Sequence, residues 1–300
     1  MVEQVNGKTI EIRPANQGDR EAVAAISAQI WDGDGYVPRV FDKWVADTMG
    51  EFSLVCVDGQ VAGFGKLTML SAEDAWLEGL RMGKGHRGLG LAKSLTKYYV
   101  NICRERGVNS LRLSTFVENH ESLHIIETHG FQRVASFKLL TAQAREGVAS
   151  PAGVVAVASL EELEQFVDAE LLARRGGLLS FDFTFEPWRD SLLRDLISER
   201  SIFALRRNGQ AVGLLILSAR HSKSGELSIS YMQGETPIDL ATLTDFALAT
   251  AGREQRNLIV MCPEDDLLLS VYLQKGLVKE CGNNLPDVFV YEHESTLRRA

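Results

Sequence analysis

Several features that mark particular classes of protein are scarce or missing in this sequence. Four cysteines, Cys56, Cys103, Cys262 and Cys281, form no CxxC pair and no metal-ligand spacing. We therefore expect reduced thiols, no disulfide framework and no metal cofactor. No apolar run approaches the roughly 20 residues that a membrane helix needs, and the polar first residues do not resemble a signal peptide. These absences predict a cytoplasmic protein with no membrane partner.

Basic residues are outnumbered by acidic ones. The chain has 32 Lys and Arg against 40 Asp and Glu, a formal net charge of -8. Nucleic-acid binding needs a basic surface, so we expect no nucleic-acid partner. A length of 300 residues is enough for two medium domains, each with its own core. Nothing in the sequence indicates the oligomeric state.

Glycine, in contrast, is concentrated in one basic turn, Gly83–Gly90. An apolar run ending at Met82 leads into it, and a helix-like run from Leu91 to Cys103 follows. Glycines let the backbone approach a ligand closely, and the N-terminus of a helix attracts anions through its free N–H groups and its dipole. The segment therefore predicts a phosphate-binding turn between a strand and a helix.

The elements around this turn predict an α/β (α+β) fold. Between residues 9 and 140 they read strand, two helices, hairpin, strand, glycine turn, helix, strand, helix, strand, and Asp58-Gly59 is the strongest hairpin signal. Residues 142–152, rich in Ala, Gly and Ser, predict a linker. We therefore divide the chain into a domain at 1–141, the linker, and a second domain at 153–300.

The second half repeats features of the first. Asp58–Gly63 is echoed by Asn208–Gly213, and Glu127–Phe131 is echoed by Leu273–Leu277, at offsets of 150 and 146 residues. We infer two copies of one fold. The second copy has no counterpart of the glycine turn. In its place Glu235 and Asp239 precede and begin a helix, where their charges would repel a pyrophosphate.

The first half resembles the GNAT N-acetyltransferases. Arg87–Ala92 fits the Arg/Gln-x-x-Gly-x-Gly/Ala motif of that family, and Asn119–Phe131 resembles its Asn-x-x-Ala-x-x-Leu-Tyr-x-x-x-Gly-Phe helix. The resemblance covers residues 9 to about 140. It implies two GNAT-like domains, each with a mixed, mostly antiparallel sheet flanked by helices, the second being a degenerate copy.

The same resemblance implies acetyl-CoA as cosubstrate and assigns residues to it. Its pantetheine arm would pair with the backbone of Leu80, Arg81 and Met82, and Asn119 would lie near the thiol end. The pyrophosphate would bind the backbone N–H groups of Arg87, Gly88, Leu89, Gly90, Leu91 and Ala92.

The loop after the first predicted helix carries a finer resemblance. Trp31-Asp-Gly-Asp-Gly-Tyr-Val-Pro-x-x-Phe-x-x-Trp44 is similar to a segment of a GNAT subgroup that includes histidine N-acetyltransferases. This resemblance implies a small amine, such as a free amino acid, as acceptor. Asp32, Asp34 and Tyr36 would then line the acceptor pocket and attract its ammonium group.

Glu78 is the expected general base. It lies in an otherwise apolar strand beside the implied acetyl position, and acetyl transfer needs a base because most amines are protonated at pH 7. Arg81 either binds an acceptor carboxylate or lies outside the site, and we prefer the second. Ile126 departs from the family, since many members have at this position a tyrosine that protonates the leaving thiolate. Tyr272 takes that place in the second copy.

Three other interpretations stay open. Gly83-x-Gly85-x-x-Gly88 matches a dinucleotide-binding fingerprint, although the preceding hairpin breaks the alternating strand-helix order which that fold requires. The acceptor could be a protein, at its N-terminus or at a lysine. Because of Ile126, the chain could also be a non-catalytic, CoA-binding regulatory module.

Overall fold

The computed structural model describes residues 1–5, 7–29, 35–164, 167–283 and 285–293. The chain divides into two compact units. The first unit comprises Met1–Leu113, Asn119–Gln132 and the residues from Tyr291 onwards; the second comprises Ser114–Glu118 and Arg133–Val290. Within the described ranges, no helix is both long and apolar enough to cross a membrane.

The first unit contains one sheet with helices packed against it. Its strands follow the order β1-β2-β3-β4-β5-β6, and all neighbours are antiparallel except β5 and β6. The elements are β1 (Val2–Val5), β2 (Lys8–Pro14), α1 (Arg20–Ser27), α2 (Val37–Val45), β3 (Glu51–Val57), β4 (Gln60–Met69), β5 (Asp74–Met82), α3 (Leu91–Arg106), β6 (Ser110–Phe116) and α4 (His120–Thr128).

The second unit has a sheet of the order β7-β14-β13-β12-β11-β8, in which only β13 and β14 are parallel, and a separate β9–β10 hairpin. Its elements are β7 (Phe131–Ala142), β8 (Val154–Ala156), α5 (Leu160–Glu164), α6 (Ala169–Arg174), β9 (Leu178–Phe181), β10 (Thr184–Pro187), α7 (Asp190–Ser198), β11 (Ile202–Arg207), β12 (Gln210–Ser218), β13 (Leu227–Gly234), α8 (Pro237–Glu254), β14 (Leu258–Cys262), α9 (Asp266–Gln274), β15 (Val278–Lys279) and β16 (Val288–His293).

The predicted fold class is confirmed, with both sheets mixed and mostly antiparallel. The first strand β1 and the β9–β10 hairpin are among the elements that were not predicted. Helix α2 begins at Val37 and ends at Val45. Pro38 lies in its first turn, where the missing N–H of proline leaves no helical hydrogen bond unmade.

The two hairpins have the same register, residue for residue, at an offset of 150. In β3–β4, Leu54 pairs with Phe64, and a bulge follows Val55. In β11–β12, Ala204 pairs with Leu214, and a bulge follows Leu205. Both turns are left-handed at two successive residues, with φ of 50° and 82° in the first and 52° and 82° in the second. Asn or Asp followed by Gly favours this turn.

The packing units are not contiguous ranges of the chain. Most of β7 belongs to the second unit, where Ala142 pairs with Leu258 of β14. The end of β16 belongs to the first unit, where Glu292 accepts a hydrogen bond from Arg112 at 2.6 Å. The predicted domain limits 1–141, 142–152 and 153–300 describe the two sequence copies and the linker, not the packing units, and they remain a prediction. Residues 143–153 lie outside helices and strands.

Candidate active site

A β-bulge in β5 determines which side chains share a face. Phe64 pairs with Arg81 and Lys66 pairs with Glu78, so one residue of β4 stands opposite two of β5, Gly79 and Leu80. Cross-strand partners point to the same face, and residues two apart in a strand also share a face. Glu78 and Arg81 therefore lie on the same face, although they are three residues apart.

Gly79 makes this bulge sterically feasible. Its φ is +66°, in the left-handed region that side chains disfavour, and a Cβ there would lie 2.5 Å from Cη2 of Trp44. The Tyr36 hydroxyl lies 3.7 Å from the same position, and the Tyr36 and Trp44 rings meet edge to face at 5.9 Å. Two aromatic side chains of the α2 region therefore cover the bulge.

Trp44 and Phe41 are core residues. They are 5% and 1% exposed, and both rings pack edge to face against Phe52. Trp44 has a second role, since its indole forms the surface above Gly79. A core residue thus also shapes the site.

Arg81 is half-buried. Burial lowers the pKa of its guanidinium below the ordinary value, and the nearby Tyr36 hydroxyl opposes this shift. The guanidinium also donates to the carbonyl of Leu80 at 2.8 Å. The structure thus places a cation, an acid and a phenol, Arg81, Glu78 and Tyr36, around the bulge of β5. Asp32 and Asp34 lie outside the described residues.

Glu78 is held by a neighbour on β4. The Thr68 hydroxyl donates to Oε1 of Glu78 at 2.6 Å. Lys66, directly opposite Glu78, is only 1% exposed, and its ammonium group contacts Asp47 and donates to the Leu67 carbonyl at 2.9 Å. Sequence reasoning missed Thr68 and Lys66; a lysine in the middle of an apolar strand was the available signal.

The parallel pairing of β5 with β6 is short. It covers the three pairs from Asp74–Ser110 to Trp76–Arg112, although β5 continues to Met82. The backbone of residues 77–82 on this edge can thus accept another extended chain, as β-strand addition requires. Leu80, Arg81 and Met82, the residues assigned to the pantetheine arm, lie in this part of the strand.

The glycine turn has the geometry of an anion site. A short 3-10 helix, Lys84–His86, leads to Gly88 and Gly90, whose φ values are +77° and +74°. Gly90 precedes the first residue of α3, so the first N–H groups of that helix have no acceptor within the helix. No atom lies within 4 Å of a Cβ built at Gly88 or Gly90. The turn therefore leaves room at a helix N-terminus, which fits a pyrophosphate.

The other assigned residues frame this turn. Arg87 and Leu89 lie within it, Leu91 and Ala92 begin α3, and the exposed Arg87 forms an ion pair with Glu121 at 3.6 Å. Asn119 caps α4, because its side-chain oxygen accepts from the Ser122 N–H at 3.3 Å.

Ile126, on α4, is 7% exposed. Its aliphatic side chain cannot donate a proton, as the sequence indicated. Among the described residues, no group of three His, Cys, Asp or Glu side chains is placed to hold a metal ion.

The second unit has a counterpart of each feature, with different chemistry. Its parallel strands β13 and β14 also form three pairs, ending at Ile229–Val260. In the next position, the 3% exposed Arg175 donates to the Ser230 carbonyl at 2.7 Å and to the Met261 carbonyl at 3.2 Å. A protein side chain therefore bridges these strands where they stop pairing.

The helix after β13 is also capped by protein groups. Thr236 and Asp239 form a reciprocal capping box at the N-terminus of α8. Asp239 is fully buried and forms an ion pair with Arg207. The capping box satisfies part of the helix N-terminus that α3 leaves open.

Comparisons with known proteins agree with this geometry. Residues 21–131 match the model of the acetyltransferase (GNAT) family. A streptothricin acetyltransferase from Streptomyces lavendulae is 28% identical over 161 residues, covering 42% of this chain and 83% of the relative.

Two solved structures share the fold over 95% of this chain. A GCN5-related N-acetyltransferase from Sphaerobacter thermophilus has a TM-score of 0.64 at 16% identity, and 95% of it is covered. The GCN5-related glucosamine N-acetyltransferase region of a fungal GH3 β-N-acetylglucosaminidase has a TM-score of 0.62 at 11% identity, with 38% of that chain covered. These likenesses show the fold, and the family match shows that residues 21–131 are similar to the GNAT acetyltransferases, a family of acyltransferases.

Proposed function

We propose that this chain is an acetyl-CoA-dependent N-acetyltransferase that acts on a small primary amine such as a free amino acid. The observation that supports this most is the shared face of Glu78 and Arg81, with Tyr36 beside them. A carboxylate can take a proton from an ammonium group, and a guanidinium can bind a carboxylate. An amino acid carries both complementary groups.

The family uses acetyl-CoA, and the residues of the first unit fit it. The pyrophosphate would bind the backbone of Arg87–Ala92, since Gly88 and Gly90 leave open space there. The pantetheine arm would lie along Leu80–Met82, where β5 extends beyond its pairing with β6. Asn119 would lie near the thiol.

The transfer forms an amide bond between the amine nitrogen and the acetyl carbon and breaks the carbon–sulfur bond. Glu78 takes the proton that the amine must lose, directly or through water. The second proton, which the nitrogen loses as the amide forms, passes through water to the CoA thiolate, because Ile126 cannot supply one. The N–H groups near the bulge would stabilise the oxyanion.

We also propose that the second unit is a duplicate of the first that no longer binds acetyl-CoA. The identical hairpin registers at an offset of 150 residues support duplication. Arg175 between β13 and β14 and the capping box at Thr236 support loss of the ligand. We therefore expect one acetyl-CoA per chain.

A second candidate is a non-catalytic CoA-binding module, favoured by Ile126. The test incubates the full chain with acetyl-CoA and a panel of acceptors and follows the release of the CoA thiol. The panel contains the twenty amino acids, polyamines, glucosamine, streptothricin and lysine-containing peptides; the last two groups separate an antibiotic or a protein acceptor from a free amino acid. Calorimetry with CoA measures the number of sites.

Turnover with one small amine, reduced at least about 100-fold by Glu78→Gln, is the expected result. Glu73→Gln, which changes an exposed glutamate before the same strand, is the matched control and should retain activity. CoA binding without turnover on any acceptor would overturn the proposal and favour the binding module. Turnover only on peptides would make the acceptor a protein.

A further inference from the structure

Thr68 is placed to hold the proposed base in one orientation. It pairs with Trp76 across β4 and β5, and Glu78 is two residues further along β5 on the same face. The Thr68 hydroxyl donates to Glu78 Oε1 at 2.6 Å, the short distance of a bond from a hydroxyl to a carboxylate. We infer that Thr68 is a positioning residue for Glu78, an inference that rests on the proposed function.

The chemistry of threonine suits this role. A β-branched side chain in a strand has a restricted χ1, so the strand sets the direction of the hydroxyl. Glutamate has three rotatable bonds, and ordering such a side chain costs conformational entropy. The hydrogen bond from Thr68 orders the Glu78 side chain before the substrate binds, so the active site is preorganised.

Lys66 supports this assignment, because its ammonium group contacts Asp47 and the Leu67 carbonyl. These contacts form although Lys66 stands opposite Glu78. Burial lowers the pKa of Lys66, and the charges of Asp47, Glu78 and Glu51 oppose this shift. Asp47 is thus the closest counter-ion of Lys66, while the hydroxyl of Thr68 fixes the carboxylate oxygen of Glu78.

The second unit provides an internal comparison. At the same offset of 150 residues, β12 has Ile216 in place of Lys66 and Ser218 in place of Thr68. Ile216 pairs with Tyr231, whereas Lys66 pairs with Glu78. The acid, the lysine and the threonine thus occur together in the unit with the open glycine turn. If Lys66, Thr68 and Glu78 only stabilised the sheet, they would not need to occur in the same unit as the open glycine turn.

The experiment compares Thr68→Val, Thr68→Ser, Glu78→Gln and the double variant Thr68→Val/Glu78→Gln in the full chain. The probe is acetyl-CoA with an equimolar mixture of the twenty amino acids, followed by thiol release. Thr68→Val should lower kcat about tenfold to a hundredfold and leave the KM for acetyl-CoA within about twofold, because the change affects the base and not the pyrophosphate site. Thr68→Ser keeps the hydroxyl and should recover kcat to within about threefold of the wild type.

Thr9→Val is the matched control. Thr9 is also a half-buried strand residue of the first unit, and its hydroxyl accepts a hydrogen bond from Gln4 at 2.8 Å. Its kcat should be unchanged. Thermal unfolding of every variant separates loss of fold from loss of orientation, and Thr68→Ala replaces Thr68→Val if the valine disrupts the strand. The double variant should be no slower than Glu78→Gln alone, because the two residues act as one unit.

The outcomes separate this inference from the proposed function. A folded Thr68→Val protein with kcat within twofold of the wild type would overturn the positioning role, even if Glu78→Gln is inactive. Full activity of Glu78→Gln would overturn the proposed base and the positioning role with it. A wild-type chain that turns over no acceptor would overturn both.

Discussion

The two units of this chain end their parallel strand pairs in different ways. In the first unit β5 and β6 pair over three positions, and β5 then continues past a bulge at Gly79 while still paired with β4. In the second unit β13 and β14 also pair over three positions, and the Arg175 guanidinium then bridges them. In the first pair β5 extends beyond its last pairing with β6, and in the second pair a side chain donates to the next backbone carbonyls of both strands.

The N-termini of α3 and α8 differ in the same way, since one is open and the other is capped by protein groups. Helix α3 begins after two left-handed glycines with open space around them, whereas α8 begins with a capping box that includes the buried Asp239. A polar group inside a protein needs a partner, which either a ligand or the chain itself can supply. The comparison teaches that two units with the same hairpin register can differ at a helix N-terminus, which one leaves open and the other caps with its own side chains.

The largest expected effect comes from removing the bridging guanidinium. Arg175→Leu leaves the carbonyls of Ser230, Met261 and Leu178 without their donor. Each buried group left unsatisfied costs about 1–3 kcal/mol, so the variant should lose about 3–5 kcal/mol of unfolding free energy. Denaturant unfolding followed by circular dichroism measures the loss.

The neighbouring arginine provides the control for this change. Arg174 is 40% exposed and pairs with Glu170 and Asp265 at the surface. Arg174→Leu should therefore cost less than about 1 kcal/mol. The Arg175→Leu protein should still bind one CoA per chain, because α8 stays capped. Two sites per chain would show that Arg175 alone distinguishes the units.

Sequence reasoning found the glycine turn because its signal is contiguous. Gly88, Gly90 and the helix after them lie within a few residues, so the backbone conformation and the anion site both follow from local composition. The hairpins at Asp58-Gly59 and Asn208-Gly209 were found for the same reason. The prediction that the second unit binds no pyrophosphate rested on its missing glycines and on the acidic residues in their place.

The rest of the site depends on contacts between residues distant in sequence. The bulge at Gly79 interrupts the alternation of β5, so Glu78 and Arg81 share a face although they are three residues apart in sequence. Arg175 stands at the end of a helix, and nothing in its neighbours indicates that it reaches carbonyls 55 and 86 residues away. Thr68 is one of several strand threonines until β4 and β5 are paired.

The next largest effect tests the ligand edge of the first unit. Gly88→Glu introduces a side chain at φ +77° and a negative charge beside the expected pyrophosphate. Acetyl-CoA affinity, measured by calorimetry, should fall at least about 100-fold, since strain and repulsion each contribute about 1–2 kcal/mol. No atom lies within 4 Å of the new Cβ, so the chain should still fold.

Gly209→Glu is matched to this change in backbone and surroundings. Gly209 has φ +82° with no atom within 4 Å of a Cβ, and it lies in the hairpin turn of the second unit. The Gly209→Glu variant should lose about as much stability as the Gly88→Glu variant and keep its acetyl-CoA affinity within about twofold. An equal loss of affinity in both variants would mean that the effect comes from backbone strain and not from the ligand site.

A smaller effect is expected at the cap of α8. Thr236→Ala removes the hydroxyl that accepts from the Asp239 N–H and donates to the Asp239 carboxylate at 2.7 Å. The loss of an N-cap costs about 1 kcal/mol, which denaturant unfolding can resolve. Thr242→Ala, in a half-buried position of the same helix, should cost less than about 0.5 kcal/mol. Equal costs would show that the cap does not stabilise this helix end.

The smallest effect distinguishes the units by pH. In the first unit, the hydrogen bond from Arg13 lowers the pKa of Asp19 despite partial burial, so this acid stabilises the fold at neutral pH and the contribution is lost as pH falls through its folded pKa. In the second unit, burial raises the pKa of Asp182 to about 6, against an opposing charge on Lys223. The contribution of Asp182 to stability therefore changes with pH in the opposite direction, because the folded state holds the proton of Asp182 more tightly than the unfolded state does.

Stability of the second unit should therefore fall as pH rises from about 4 through 6 and then level off. Asp182→Asn removes this dependence and suits the left-handed backbone, since Asn208 adopts a φ of 52° close to the 56° of Asp182. The variant should match the wild type near pH 4 and exceed it by about 1–2 kcal/mol at pH 7, a range reduced because the side chain keeps some contact with solvent. Urea midpoints at pH 4, 5, 6 and 7 give the difference directly. A difference that does not change with pH would show that Asp182 titrates alike in the folded and unfolded chains, and the two units would then not differ in their response to acid.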